Sequence, residues 1–449
     1  MILDKADILI IGGGPAGIVV AITARKSNLT KKIVLVREKE NSIIPCGIPY
    51  IFNRLDSVKK DLMPDKPLEM NNIDLLIDEA IKIDSTNKKV FFKSGKELTF
   101  EKLILATGSK PTLIPINGIN KKGVWYIKKD FEYLKKFRRA VLKSKKIVII
   151  GGGFIGIELA EELSGFKGLD VSIVEKLEPC LITSFDEEFC IAAEEKLKEK
   201  GVKIYTNTIV EKIVGKNKVE SVKLKDKEIP ADLVILSIGA KPNVELAKEA
   251  GIKFGKYGGI EVNEYMETSS KDVFAVGDCA ETRGLLTKKY IPVMLASTAC
   301  HEARIASANL YKRKNLIKND GTLSVFSTFV NGLAIGIAGL SERRCKDEGL
   351  DIIIGKSEAS NHHPGALPNT QNIKVKLIFS QNSGRLLGGQ IIGPESIGEM
   401  LNILALAIQK ETTIYNLDVL QIATHPLLTA APTIYPLISA AHSALTKMK

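Results

Sequence analysis

The 449-residue sequence predicts an α/β protein with two similar parallel-sheet units and a separate α+β domain at its C-terminal end. Two observations predict the paired units: an apolar run leads into a glycine-rich turn and a helical pattern, first near residue 10 and again near residue 150. The third observation is a change of pattern near residue 325, where strand-like segments joined by turns begin. The expected domains are 1–113 with 243–324, then 114–242, and finally 325–449.

The first unit opens with the apolar run at residues 6–11, which is typical of a buried parallel strand. The turn GGGPAG at 12–17 and an expected helix over 18–25 follow. The next strand, 34–38, ends in Glu38, which lies 24 residues after Gly14. This is a Rossmann-like fingerprint, because glycines let a pyrophosphate approach the helix N-terminus and the acid accepts from a ribose hydroxyl. The motif residues expected to hold a dinucleotide are Gly12, Gly14, Pro15, Ala16 and Gly17.

The second unit repeats this arrangement. The strand 146–150 precedes the turn GGGFIG at 151–156, and the returning strand 171–175 ends in Glu175, 22 residues after Gly153. One glycine motif is weak evidence, but two motifs with strand, helix and distal acid predict two nucleotide sites. Glu175 favours NADH, since a carboxylate repels a 2′-phosphate, while the adjacent Lys176 leaves some tolerance for NADPH. The motif residues expected at this site are Gly151, Gly153, Phe154, Ile155 and Gly156.

Two matching segments close the units, at 103–111 and 233–242. Each is a buried strand followed by a glycine and a proline, and each would carry the chain to the next domain, which places boundaries near 113 and 242. In the last domain, the expected elements are strands at 325–329, 373–379 and 388–393 and a helix over 398–409.

The composition excludes several classes of protein. The net charge is +12, but the lysines are spread without a basic tract, so nucleic-acid binding is not expected. Six scattered cysteines without metal-ligand spacing predict neither a disulfide framework nor a metal site, and they favour a reducing cytoplasm. No stretch is long and apolar enough to cross a membrane, and the acids before the first apolar run argue against a secretory signal.

Cys46 is the expected reactive residue. It stands in IPCGIPY, at 44–50, just after the first unit, and no second cysteine lies nearby in the sequence. A cysteine placed shortly after a cofactor-binding strand can reach the cofactor ring, although a free cysteine taken alone is more often a packing residue. The paired nucleotide sites favour the chemical role. The packing role is expected for the remaining cysteines, which are Cys180, Cys190, Cys279, Cys300 and Cys345.

Together with the ATG turn at 106–108 and DVFAVGD at 272–278, these motifs resemble the FAD-dependent pyridine nucleotide-disulfide oxidoreductases over nearly the whole chain. The resemblance implies FAD in the first unit, NADH in the second, and a homodimer formed through the third domain. It implies that Asp278 bonds the ribityl chain of FAD and that Glu158 lies near the nicotinamide, with an ordinary helix charge as the alternative for Glu158. The other cofactor-site residues that it implies are Ala80, Thr107, Gly108, Gly239, Gly277 and Ala296.

The cysteine pattern resembles one branch of this family. The residue five positions after Cys46 is Ile51, so the internal disulfide of two-cysteine members cannot form. The CGIPY pattern is similar to the single-cysteine branch of NADH oxidases, NADH peroxidases and coenzyme A-disulfide or persulfide reductases. That branch implies electron flow from NADH through FAD to Cys46 and on to oxygen, peroxide or a thiol-linked sulfur substrate. The protein is expected to hold Cys46 against the ring as a thiolate.

His425 is the second expected catalytic residue. The His425-Pro426 pair resembles the segment from which related reductases send an acid-base histidine across the dimer, but the family's orienting glutamate is Ala430 here, so a plain loop histidine is the alternative. His362 and His363 stand in one of the two segments where coenzyme A-disulfide reductases carry tyrosines.

These two segments differ from the family pattern, so the sequence does not identify the electron acceptor. Arg25 and Lys26 could meet an anionic substrate, but a helix-end role is favoured for them. The predicted activity is NADH oxidase. The alternatives are a coenzyme A-disulfide or persulfide reductase, and a flavin electron carrier or redox sensor that acts on a protein partner.

Overall fold

The first glycine motif lies at the end of a seven-stranded sheet in the computed structural model, which describes residues 4–311 and 316–448. The strand Lys5–Ile11 is flanked in parallel by Ile33–Arg37 and Glu97–Leu105. The motif then opens the helix Pro15–Ser27, which starts earlier than the predicted 18–25. The other elements of this segment are the strands Asp74–Ile77, Ala80–Asp84 and Lys89–Phe92 and the short helix Lys66–Glu69.

The chain returns to this sheet after the second unit. The strand Val273–Ala275 pairs in parallel with Glu97–Leu105, and the helix Ala296–Asn309 packs along Pro15–Ser27. One apolar core joins residues 6–106 to residues 247–310. The discontinuous domain of residues 1–113 and 243–324 stays a prediction. The smaller elements here are the helix Glu245–Glu249, the 3-10 turn Gly277–Cys279 and the strands Thr282–Arg283 and Tyr290–Ile291.

The second unit is a five-stranded parallel sheet. Its strands lie in the order Lys203–Tyr205, Asp170–Val174, Lys146–Ile150, Leu233–Leu236 and Val124–Tyr126. The predicted strands at 146–150 and 171–175 are therefore found to within one residue. The helices are Phe131–Val141, Phe154–Leu163 and Glu187–Glu199, and a small antiparallel sheet is formed by Lys212–Val214, Ser221–Lys223 and Glu228–Pro230.

The two segments predicted to connect the domains pair with each other. Ser109–Pro111 and Ala240–Pro242 form a two-stranded antiparallel ribbon. Beside it, the Thr107 hydroxyl donates to the Asn243 carbonyl oxygen at 2.6 Å. The outgoing and returning chains therefore run side by side at this ribbon. The boundaries near 113 and 242 stay predictions.

The third domain is a five-stranded antiparallel sheet covered by helices. Its strands lie in the order Phe326–Val330, Leu333–Gly339, Leu386–Gly393, Asn372–Ser380 and Ile352–Ser360. The second and the last of these strands were not predicted from the sequence. The helices are Glu342–Asp347, Ile397–Gln409, Ile414–Asp418 and Pro436–Leu445, with the 3-10 turn Pro432–Ile434 before the last one.

Candidate active site

The glycines of the first motif fall into two groups: two are tightly packed against the backbone, and one borders open space. Gly12 has φ 123°, and a Cβ added there would lie 2.1 Å from the Ala106 carbonyl oxygen. A Cβ on Gly17 would lie 1.9 Å from the Gly12 carbonyl oxygen, whereas a Cβ on Gly14 would meet nothing within 4 Å. Gly12 and Gly17 are therefore required by close packing. Gly14 borders free space at the start of the helix, where a cofactor could approach.

The second motif reproduces this geometry. A Cβ on Gly151, at φ 109°, would lie 2.6 Å from the Ser237 carbonyl oxygen, and one on Gly156 would lie 2.0 Å from the Gly151 carbonyl oxygen. Gly153 faces open space as Gly14 does. Within the described chain, no side chain caps either helix at Gly14 or Gly153. The free N–H groups and the open space both fit a bound pyrophosphate.

The distal acids differ in their surroundings. Glu38 is exposed beyond its strand, so its carboxylate is available to a ribose. Glu175 accepts hydrogen bonds from the backbone N–H groups of Gly152 at 2.6 Å and Leu177 at 2.8 Å. Those bonds orient the second carboxylate beside its glycine turn.

The remaining motif positions lie at the helix starts. Pro15 begins the first helix and Ala16 is buried in its first turn. Ile155 is 39% exposed, which leaves it available to a ligand. The ring of Phe154 packs edge-to-face on Phe326 of the third domain at 5.0 Å, so part of its surface serves the domain contact.

Asp278 is held by a small polar group. It accepts a hydrogen bond from the Ser109 hydroxyl at 2.7 Å and another from Lys129 Nζ at 3.1 Å. Next to it, the backbone N–H of Gly277 donates to Glu302 at 2.8 Å. Burial raises the pKa of Glu302 to about 8. Sequence reasoning missed both Lys129 and Glu302.

The other expected FAD-site residues occupy different places. Gly108, at φ 70°, accepts from the Asn243 N–H beside Thr107, and Gly239, at φ 93°, accepts from the Thr112 N–H. Ala296 is the first residue of the helix Ala296–Asn309. Ala80 lies in an antiparallel strand opposite Phe92, away from the parallel strands that carry the glycine motif. The assignment of Ala80 to the cofactor stays a prediction with no support from this position.

Cys46 is an exposed free thiol in the 3-10 helix Pro45–Ile51. The surrounding protein nevertheless raises its thiol pKa, first by removing water and second through the charge of Glu158, with smaller contributions from Asp278 and Asp61. Lys129 acts in the opposite direction. Burial and the nearby carboxylates therefore favour the neutral thiol in the chain by itself. The expectation that the protein holds Cys46 as a thiolate stays a prediction.

Glu158 connects this thiol to a cleft between the second unit and the third domain. Its carboxylate accepts a hydrogen bond from the Thr328 hydroxyl at 3.1 Å. Burial raises the pKa of Glu158 to about 7. The cleft, of about 330 Å³, is also lined by Tyr50, Arg54 and Phe329. A carboxyl group that titrates near neutrality beside an exposed thiol can hold or release a proton there.

His425 lies on an exposed loop of the third domain. Its Nδ1 accepts from the Leu427 N–H at 3.3 Å, so a backbone group orients the ring where Ala430 cannot. The loop packs against the other histidine segment through a bond from the His363 N–H to the Pro426 carbonyl oxygen at 3.1 Å. His425 is absent from the groups of the described chain that shift the Cys46 pKa. Its catalytic role stays a prediction.

Apart from the cleft at Glu158, a cavity of about 500 Å³ lies in the third domain, lined by residues that include Met400, Leu428 and Tyr435. Four of the remaining cysteines are buried and one is half-buried, in agreement with their expected packing role: Cys180, Cys190, Cys279, Cys345 and Cys300. No cluster of three or more potential metal ligands occurs in residues 4–311 and 316–448. No helix in these ranges combines the length and the apolar character that crossing a bilayer requires.

Comparison with known proteins agrees with this arrangement. The family model of the pyridine nucleotide-disulphide oxidoreductases matches residues 6–303, and the model of the family's dimerisation domain matches residues 325–434. The chain is 33% identical to an NADH oxidase of Methanocaldococcus jannaschii over 458 aligned residues, which cover 98% of this chain and 99% of the relative.

Two sulfur-reducing relatives are equally similar. The NAD(P)H coenzyme A polysulfide/persulfide reductase of Pyrococcus horikoshii is 34% identical, with 91% of this chain and 92% of that protein covered. The solved structure of an NAD-dependent persulfide reductase from A. fulgidus superposes with a TM-score of 0.90 at 31% identity, covering 98% of this chain and 83% of the other.

The repeated nucleotide motifs, the lone thiol between them and these matches agree over the length of the chain. FAD and NAD(P)H are its cofactors, and the open glycine turns fit both of them. The chain belongs to the pyridine nucleotide-disulphide oxidoreductases and is an FAD-dependent NAD(P)H oxidoreductase of their single-cysteine branch.

Proposed function

We propose that this enzyme is an NADH oxidase in which Cys46 takes part in reducing oxygen. One observation carries the proposal: the charged groups that act on the exposed Cys46 thiol come from both nucleotide-binding units, Asp278 from the first and Glu158 from the second. A thiol at the junction of two cofactor sites is placed to receive electrons that pass between them.

The chain's own residues have distinct parts in this reaction. The motif at 151–156 and Glu175 bind NADH, and the carboxylate of Glu175 favours it over NADPH. Asp278, held by Ser109 and Lys129, orients the FAD side chain. FAD, when bound, would supply a redox group that accepts the hydride from NADH.

The sulfur of Cys46 cycles between thiolate and sulfenic acid. Two electrons and protons from a first NADH would reduce oxygen to hydrogen peroxide. Attack of the Cys46 thiolate on that peroxide forms a sulfur–oxygen bond, breaks the oxygen–oxygen bond and releases hydroxide. Two electrons from NADH, with protons, then restore the thiol and release water. Glu158, with a pKa of about 7, is placed to exchange a proton with this site.

The environment of Arg25 supports an acceptor without a coenzyme A nucleotide. Its guanidinium donates to the carbonyl oxygens of Lys31 at 2.7 Å, Asn72 at 2.7 Å and Asn71 at 2.9 Å. A guanidinium committed to these carbonyls ties the helix end to a neighbouring loop and has little capacity left for a phosphate. This favours the helix-end role predicted from the sequence.

A coenzyme A persulfide reductase is the second candidate. It is favoured by the similarity to the persulfide reductases of Pyrococcus horikoshii and A. fulgidus, at 34% and 31% identity. In that case the Cys46 thiolate would attack the outer sulfur of the persulfide, forming a new S–S bond and releasing coenzyme A as a thiol. Two electrons from NADH, with protons, would then break the S–S bond on Cys46, release the sulfur as hydrogen sulfide and restore the cysteine.

We further propose a homodimer in a reducing compartment such as the cytoplasm. The loop that carries His425 also exposes Leu427 (56%) and Leu428 (72%), as expected of a surface that a second copy covers. In such a dimer His425 would complete the partner's active site. All six cysteines are free, which agrees with reducing conditions.

Stopped-flow reoxidation of the NADH-reduced enzyme separates these candidates. We expect rapid reoxidation by oxygen and none by coenzyme A persulfide or disulfide under anaerobic conditions. The opposite result would overturn the oxidase proposal in favour of the reductase. Cys46→Ser tests the role of the thiol, with Cys300→Ser as the matched control. Undiminished turnover of Cys46→Ser with every acceptor would show that the thiol is not used and that the protein is a flavin electron carrier.

A further inference from the structure

Asp61 is a buried carboxyl group behind the active-site turn. It ends the 3-10 turn Val58–Asp61, and the residue is 1% exposed. Its Oδ2 is buried without a hydrogen-bond partner in the described chain. A buried carboxylate without a partner is costly, so a group that persists in this position calls for an explanation.

The carboxyl group packs directly on the residue that follows Cys46. A Cβ added to Gly47 would lie 1.8 Å from Asp61 Oδ1 and 2.7 Å from its Cγ. Gly47 has no left-handed backbone angle, so the glycine is required there by the space that Asp61 occupies. The Ile44 N–H also donates to the Asp61 carbonyl oxygen at 2.9 Å, which fixes this turn to the segment that leads into Cys46.

We propose that Asp61 is a positioning residue that controls the ionisation of the Cys46 thiol from behind the Cys46–Gly47 peptide. The inference rests on the proposed redox role of Cys46. Asp61 remains neutral at acidic pH and becomes a buried anion at alkaline pH. In its charged state it opposes a second negative charge on the sulfur.

The electrostatics agree with this placement. Burial raises the pKa of Asp61 to about 7, and Asp61 in turn raises the pKa of Cys46. The other charged groups that act on the sulfur are Glu158 from the helix Phe154–Leu163, Asp278 from the turn Gly277–Cys279 and Lys129 from the loop before Phe131–Val141. Burial is the cause of the Asp61 shift, and no charged side chain of the described residues shifts its pKa appreciably.

The test is the pH dependence of Cys46 alkylation in the oxidised FAD holoenzyme, followed by mass spectrometry at that cysteine. For Asp61→Asn we expect the wild-type rate at pH 6 and a rate about two- to threefold above wild type at pH 8.5, which corresponds to a thiol pKa lower by about a third to a half of a unit. Asp56→Asn is the matched control. Asp56 lies in the same segment with a 74% exposed side chain, and its variant should follow the wild-type profile.

Asp61→Ser is a second neutral variant in case the asparagine does not fit against Gly47, and it should give the same profile. A wild-type profile for every folded Asp61 variant would overturn the proposal. Loss of folded, FAD-containing protein in both variants would also overturn it, since Asp61 would then be a structural residue. Alkylation is measured without substrate, so these outcomes do not depend on whether the enzyme reduces oxygen or persulfides.

Discussion

The carboxylate of Glu158 accepts a hydrogen bond of 3.1 Å from the hydroxyl of Thr328, a residue 170 positions away in the third domain. This bond stabilises the ionised form of Glu158 against the burial that raises its pKa to about 7. The third domain therefore takes part in setting the charge beside Cys46, in addition to the role in dimerisation that its family match indicates.

We predict that Glu158→Gln makes Cys46 more reactive. Glu158 is the charged group with the largest effect on the Cys46 thiol, and removal of a negative charge lowers a neighbouring thiol pKa. Alkylation of Cys46 at pH 8 should be about three- to tenfold faster than in the wild type. Thr328→Val should move the pKa of Glu158 upward, because it removes a bond to the charged form.

The matched control for that experiment is Glu195→Gln, which removes an exposed carboxylate from another helix of the same domain. It should leave the Cys46 profile unchanged. An equal acceleration in Glu195→Gln would mean that the net charge of the protein sets the reactivity, and it would contradict a local role for Glu158.

We predict that alanine at Gly14 weakens FAD binding and that alanine at Gly153 weakens NADH binding, each without the other defect. Gly14 and Gly153 have ordinary extended backbone angles and free space where a Cβ would go, so alanine should fold at both positions. It would project into the proposed pyrophosphate space. We expect Gly14→Ala to weaken FAD binding about tenfold or more, and Gly153→Ala to raise the KM for NADH by a similar factor while FAD binding stays normal.

Gly17→Ala and Gly156→Ala are the matched comparisons. Their Cβ atoms would lie 1.9 and 2.0 Å from backbone carbonyl oxygens, so these variants should lose folded protein before any binding can be measured. Equilibrium dialysis for FAD and steady-state kinetics for NADH provide the readouts. Tight FAD binding by Gly14→Ala would show that the cofactor does not approach this turn.

We predict that Glu302 makes the free energy of unfolding decrease as the pH rises. The residue is 1% exposed, and burial raises its pKa from 4.5 to about 8. The folded state then binds more protons than the unfolded state between these two values, so the free energy of unfolding decreases with pH across this window. Glu302→Gln keeps an oxygen for the Gly277 N–H and carries no charge. It should be more stable than wild type at pH 9, on the order of 1–3 kcal/mol, and gain little at pH 5.

Urea unfolding at saturating FAD, followed by circular dichroism at both pH values, measures this difference. A Glu302→Gln variant that is destabilised equally at pH 5 and pH 9 would show that the carboxyl group contributes through packing or hydrogen bonding, and the linkage argument would be wrong.

The parts of the site that could be predicted are those that depend on local sequence. Gly12 and Gly17 contact each other within one turn, and their counterparts in the second motif do the same, so a short pattern is enough to identify them. Asp278 was predicted from a family motif, but its hydrogen bond to Ser109 joins residues 169 positions apart. No local pattern contains such a contact.

The missed residues act across domains or from beneath the site. Lys129, Thr328 and Asp61 are ordinary polar residues in their own segments, and folding alone brings them to Cys46 or Glu158. Glu302 did leave a signal, because it is a lone acid in the alanine-rich stretch 296–309. A charge on a helix that otherwise suits burial could have marked it as a functional or structural acid.

Lys376 joins the second unit to the third domain through ion pairs. We predict that replacing this lysine with an uncharged residue strongly lowers the free energy of unfolding. Its side chain is 3% exposed, and its Nζ lies 2.9 Å from Asp186, 2.9 Å from Glu188 and 2.8 Å from Glu342. Burial opposes the charge, but the hydrogen bonds to these carboxylates keep the pKa of Lys376 above its usual value. Lys376→Met would leave the carboxylates without their shared cation, at an expected cost of about 3–5 kcal/mol in the free energy of unfolding.

Lys356→Met is the matched control, because Lys356 also contacts Glu188, at 3.1 Å, but with a 62% exposed side chain. It should cost less than about 1 kcal/mol, since solvent screens an exposed pair. Urea unfolding can be followed by the fluorescence of the single tryptophan, Trp125, which stacks on Phe137 at 5.0 Å in the second unit. Similar costs for the two variants would mean that the second unit and the third domain are held together by their apolar contacts, such as that between Phe154 and Phe326, and that the buried lysine is dispensable.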